Sequence, residues 1–196
     1  MPLAVCVPAK AAEPSVDQLR AALARLSSDS WTNADIELVL QFPEVAKTVA
    51  DPRREPVSQL SATAPEVVSA ARQRSGAQAA VLAVSCRTVF HDLTYKSLLG
   101  FDIYKWRHHV KFCYDGTRVT SIPERYDALM WHDGTRELHE RTVDQSGGVG
   151  TTFAYSHIQR KIGACTVIVG CYGWTYPWSR IDLLDNGGYV RTGSSG

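Results

Sequence analysis

Phe101-Asp102-Ile103-Tyr104-Lys105-Trp106-Arg107-His108-His109-Val110-Lys111-Phe112-Cys113-Tyr114 alternates between apolar and basic residues. Side chains of an extended chain point to opposite faces in turn, so Tyr104, Trp106, Val110, Phe112 and Tyr114 share one face, and Lys105, Arg107, His109 and Lys111 share the other. That pattern is a strand half buried in an antiparallel sheet. Asp115-Gly116 follows as a two-residue hairpin turn into Arg118-Val119-Thr120-Ser121-Ile122. Farther along, Asp133-Gly134, Gly147-Gly148-Val149-Gly150 and Asn186-Gly187-Gly188 separate further runs rich in Val, Ile, Thr, Tyr and Trp. The expected fold is mainly β, an antiparallel β-sandwich or barrel over about residues 79–196, preceded by a short helical N-terminal segment.

Residues 12–78 read as that helical arm with its linker. Ser15-Val16-Asp17-Gln18 is a capping box leading into Leu19, Leu23 and Leu26, and a second helix begins at Thr32 and is broken at Pro43. Pro52 to Pro56 suits an exposed linker, and Thr63-Ala64-Pro65-Glu66 predicts another short helix ending near Gly76. Trp31 is placed as a staple between helices and sheet.

The chain has 196 residues with Lys+Arg 21 against Asp+Glu 20, a net charge of +1, so no global field recruits nucleic acid or an anionic membrane. Charged residues interrupt every apolar run before the roughly 18 residues that a spanning helix needs. Residues 1–11 read as a signal-peptide remnant: Leu3 to Val7 are apolar, and small residues at Ala9 and Ala11 give an A-x-A pattern. A secreted, extracellular protein is the expectation. Cys86, Cys113, Cys165 and Cys171 then form two disulfides. Cys165 and Cys171, six apart on what reads as one strand, would lie roughly 20 Å from each other, so each is expected to pair with Cys86 or Cys113 unless Gly170 turns the chain.

No nucleophile elbow, phosphate loop, dinucleotide turn or zinc-protease helix occurs, and no cofactor is implied. Asp144-Gln145-Ser146-Gly147-Gly148 falls short of a serine-protease segment, because Gln145 displaces the acid and no matching histidine segment precedes it. His109 and His157 are the pair best placed to share a metal on one face, but six scattered histidines read better as packed or surface imidazoles, and no metal site is expected. Two features suit binding. The face carrying Lys105, Arg107, His109 and Lys111 offers a local basic patch. Trp174 and Tyr176, around Gly173 and Pro177, suit an exposed aromatic platform for a sugar or peptide, with Trp174 exposed and Trp178 in the core ahead of Ile181 and Leu183.

Leu98-Leu99-Gly100-Phe101, Phe112-Cys113-Tyr114-Asp115-Gly116, Ser156-His157-Ile158-Gln159-Arg160, Gly170-Cys171-Tyr172, Tyr176-Pro177-Trp178 and Gly187-Gly188-Tyr189, in that order, resemble a group of small exported proteins common in filamentous actinobacteria. The resemblance spans about residues 86–192 and implies secretion and an all-β domain, with no catalytic residue to carry over. The expectation is therefore a secreted binding or accessory module for a protein partner or cell-surface glycan, possible as a subunit of an exported toxin-like assembly, and not an enzyme. The alternative is a secreted hydrolase whose residues meet only in three dimensions.

Overall fold

In the computed structural model, which describes residues 14–72 and 81–195, three short helices precede two antiparallel sheets of five strands each, stacked sandwich-like. The signal-peptide reading, at residues 1–11, lies outside the described residues. Sheet one holds β1 (Val57–Ala62), β2 (Glu66–Arg72), β3 (Val81–Lys96), β4 (Asp102–Tyr114) and β5 (Val119–His132), in the order β1-β3-β4-β5, with β2 also on β3. Sheet two holds β6 (Arg136–Gly147), β7 (Phe153–Thr166), β8 (Gly170–Thr175), β9 (Trp178–Leu184) and β10 (Tyr189–Ser195), in the order β10-β9-β7-β6, with β8 also on β7.

The helix expected from Thr63 onward is a strand, and the sheet takes in residues 57–72. β1 pairs with the second half of β3 and β2 with the first, so the two strands line one edge of β3. Thr63 does not cap a helix; its hydroxyl accepts from Thr88 N–H at 3.0 Å and its own N–H donates to Thr88 O at 2.9 Å, holding the ladder across the break before Pro65. Pro65 lacks the N–H a ladder needs and so falls between the strands, and β-branched Val67 and Val68 follow it in β2.

α1 (Val16–Leu26), α2 (Asn33–Leu40) and α3 (Pro43–Ala46) form where the caps place them. Ser15 and Gln18 make the expected capping box, and Thr32 with Asp35 makes a second. Leu19, Leu23, Leu26, Ile36, Val39, Val45 and Val49 build a small core of their own with Leu98, on which Trp31 and Tyr172 pack. The end of α1 docks on β8 at Gly173, where a Cβ would come within 2.0 Å of Ser27 Oγ.

Both disulfides form between neighbouring strands. Cys86 faces Cys113 across β3 and β4, and Cys165 faces Cys171 across β7 and β8, with Cα atoms 3.8 Å apart. The cross-pairing expectation is corrected here because Gly170, at φ 73°, turns the chain so that Cys165 and Cys171 sit on separate strands. In the chain-entropy account the 27-residue closure restrains the unfolded chain by about 3.5 kcal/mol and the 6-residue one by about 2 kcal/mol.

Inside the sandwich, buried residues stack in three layers. Val89, Val110, Phe112, Val119, Ala154, Ile181 and Leu183 form one apolar cluster, and Leu93, Tyr95, Ile103, Tyr104, Trp106, Ile158 and Ile162 form another. Between them lies a polar layer with one residue from each central strand: His91 of β3, His108 of β4, Ser156 of β7 and Ser179 of β9, all fully buried.

Candidate functional site

The chain places Trp174 and Tyr176 in a cleft of about 310 Å³, walled by Leu26 at the end of α1 with Ser27 and Asp29, by residues 50–52 and 54–56, and by β8 and β9. Tyr95 and Trp178 complete the aromatic wall, with Tyr95 stacked on Tyr104 at a ring separation of 4.3 Å. Trp174 is 38% exposed and Tyr176 41%. Lys161 Nζ sits 4.1 Å from the centre of the Trp174 ring, and His139 meets the ring edge-on at 4.7 Å, so the indole is held in place while part of it stays open.

Trp178 is half-buried on the outer face of sheet two, not in the core as expected. Residues 178 and 181 have opposite parity, so Ser179, Ile181 and Leu183 point inward while Trp178 packs across Gly193, where a Cβ would come within 2.4 Å of the ring. Pro177 occupies the break between β8 and β9, where its carbonyl accepts from Arg160 N–H at 3.0 Å. Gly173 is covered by α1, so the exposure of Trp174 comes from its outward parity.

The polar groups around the cleft decide its chemistry. Arg54 and Arg53 both bind Asp51, whose carboxylate is fully buried and takes hydrogen bonds of 2.8 and 2.9 Å from Arg53 and an ion pair of 3.1 Å from Arg54. Asp29 and Glu55 are exposed and, among the described residues, enter no ion pair. Gln159 adds an amide that accepts from Thr142 Oγ1 at 2.9 Å. The cleft therefore presents ring faces beside two exposed carboxylates: surfaces for C–H groups next to acceptors for hydroxyl or ammonium donors.

The predicted basic stripe lies on the outer face of sheet one, as its parity requires, and Arg107 and His109 within it are engaged by acids. Arg107 makes a two-point pair with Asp92 at 2.6 and 2.7 Å, and His109 stacks on Tyr126 and meets Phe90 edge-on, with Glu124 3.5 Å from its Nε2. Burial, the largest influence, pushes the His109 imidazole below its ordinary pKa against the pull of Glu124. Lys105 lies beside Thr94 on β3 and exposed Trp131 on β5, and Lys111 between Thr88 and Glu124. These four residues are not brought together with Trp174 and Tyr176. His109 and His157 lie on the outer faces of different sheets and do not converge.

The polar layer is the feature that sequence reading passed over. Arg191 Nη1 donates to Ser58 Oγ at 2.8 Å, and that oxygen lies 2.8 Å from His91 Nε2. His91 Nδ1 is 2.7 Å from Ser179 Oγ, which is 3.1 Å from His108 Nδ1, and His108 Nε2 is 2.7 Å from Ser156 Oγ. Desolvation lowers the His91 pKa to about 4, with Arg191 adding to it, and lowers that of His108 to about 3, with His91 and Arg125 adding. Both rings are neutral near pH 7, and each uses both nitrogens. Parity held the signal: His108 shares the inward face of Trp106 and Val110.

A second polar cluster stitches the open side of the sandwich. Asp127 on β5, fully buried, accepts from Trp106 Nε1 at 2.8 Å, from Arg141 Nε at 2.7 Å and from Arg160 at 2.7 and 2.5 Å. Burial pushes its carboxyl up, but Arg160, Trp106 and Arg141 outweigh that and hold it below the ordinary range. Asp144, the acid of the protease-like segment, is engaged by Arg125 and Arg141.

No family model, curated protein or solved structure matches the chain. Its class, a two-sheet β protein with two disulfides and a helical cap, rests on the fold itself.

Proposed function

We propose that the chain is an exported binding module that takes a hydroxyl-rich glycan unit in the cleft beside Trp174 and Tyr176. The observation that carries this reading is the combination there of open aromatic rings with the exposed carboxylates of Asp29 and Glu55. Sugars present a C–H face that packs on a ring and hydroxyls that donate to carboxylates, while Arg54, which also lines the cleft, is paired with Asp51. The two disulfides fit an oxidising compartment, and no helix among the described residues is long and apolar enough to cross a membrane.

A panel of soluble oligosaccharides of neutral, amino and acidic sugars, titrated while tryptophan emission is followed, tests the reading. Saturable change with a neutral or amino sugar is expected, weakened at least tenfold in Trp174→Ala and in Glu55→Gln, because rings and acceptors act together. A response to acidic sugars alone, or none across the panel, overturns it.

A further inference from the structure

We propose that Ser58 is a nucleophile, activated by His91, that accepts the acyl group of a carboxylic ester. An activated serine needs its oxygen in hydrogen-bond reach of a base, and that base held by a third group. Ser58 Oγ lies 2.8 Å from His91 Nε2, and His91 Nδ1 lies 2.7 Å from Ser179 Oγ. Ser58 is exposed, while the imidazole behind it is fully buried.

Two further features suit the reaction. Arg191 reaches over from β10 and donates to Ser58 Oγ, which leaves the serine's own proton free for His91 Nε2 and puts a cation beside the attacking oxygen. Register supplies a backbone donor too. Thr63 N–H points to β3, so in this regular ladder the N–H groups of 57, 59 and 61 do likewise, and those of Ser58 and Leu60 point to the free edge of β1. The nucleophile's own N–H thus points away from the β1–β3 ladder, toward the edge along which an extended substrate could pair.

The step balances without a cofactor. Ser58 Oγ bonds to the ester carbonyl carbon as its proton passes to His91 Nε2; the C–O bond to the alcohol breaks and the alcohol takes that proton. Hydrolysis of the acyl-serine at the exposed Ser58 then adds one water across the new C–O bond, releases the acid and restores the Ser58 hydroxyl. Burial makes His91 a weaker base than a free imidazole, so the favoured substrates are esters of acidic alcohols, whose leaving groups need little protonation, in preference to amides.

A fluorophosphonate probe tests this on the full chain: the Ser58 Oγ–P bond forms, the P–F bond breaks, and fluoride leaves as His91 takes the proton. Peptide mapping is expected to show one adduct, on Ser58, formed more than a hundredfold faster than any at Ser61. Ser61 is exposed on the other face of the same strand and, among the described residues, makes no hydrogen bond to an imidazole. Ser58→Ala takes a partner from Arg191 and from the buried His91 Nε2, and is expected to abolish the adduct while lowering the melting temperature by no more than about 10 °C. No adduct on the folded protein, or equal labelling of Ser58 and Ser61, overturns the proposal.

Discussion

Lowering the pH from 7 toward 4 is expected to unfold this protein before most of its carboxylates titrate. His91 and His108 have folded pKa values of about 4 and about 3, against an ordinary 6.5, so between those limits the unfolded chain binds protons that the folded chain refuses. A group with a depressed folded pKa stabilises the fold fully above its unfolded value and loses that contribution as pH falls toward the folded one. The contribution is on the order of 3 kcal/mol for His91 and 5 kcal/mol for His108. The two rings interact through Ser179, so the terms do not simply add. His109 and His157 are lowered as well, and act in the same direction. Asp35 and Asp115, held at about 2, lose their contributions only below the ordinary carboxylate value of 3.8. Since a domain of this kind is held by about 5–15 kcal/mol, the midpoint of urea unfolding should fall steeply from pH 6.5 to 4.5. A midpoint unchanged over that window would mean that the imidazoles titrate like exposed ones.

Replacing Asp127 is expected to be the most damaging single change at the open side of the sandwich. Its carboxylate is the shared acceptor for Arg141, Arg160 and the Trp106 indole, so Asp127→Ala leaves two guanidinium groups and an indole N–H short of their partner. Removing one member of a buried ion pair costs about 3–5 kcal/mol, since the remaining charge stays desolvated. For a chain of this length the melting temperature should drop by roughly 10 °C or more. Asp127→Asn keeps an acceptor for Trp106 and should lose less. Equal melting curves for wild type and Asp127→Ala would remove Asp127 from its place as the link between β5 and sheet two.

Much of the fold was legible where period and turn chemistry agreed. Even-numbered residues of 104–114 point inward as a period of two requires, and the turns at Asp115-Gly116, Asp133-Gly134 and Asn186-Gly187-Gly188 separate strands. The Ser15 and Thr32 caps start helices because a periodic apolar face follows each. Thr63-Ala64-Pro65-Glu66 has the residue types of a cap but is followed by β-branched residues, and the edge of β3 claims it. Trp178 was misplaced by counting three residues as two. Cys165 and Cys171 required knowing that Gly170 reverses the chain. Of the candidate site, the openness of Trp174 and Tyr176 was readable, but the acids facing them come from residues 29 and 55, about 120 to 145 positions away, and only tertiary structure unites them. The basic stripe was correctly placed on one face, yet the pairing of Arg107 with Asp92 and the placing of Glu124 beside His109 depend on cross-strand register. The polar layer is likewise assembled from four strands, each contributing one residue.

The most direct test of the glycan-cleft account is amide chemical-shift mapping of the isotopically labelled full chain with the tightest-binding sugar of the panel. The account predicts perturbations confined to Ser27–Asp29, residues 50–56, Gln159 and Trp174–Trp178, with the outer face of sheet one around Lys105 and Lys111 unmoved. Shifts centred on Lys105, Arg107 and Trp131, with the cleft silent, would contradict it.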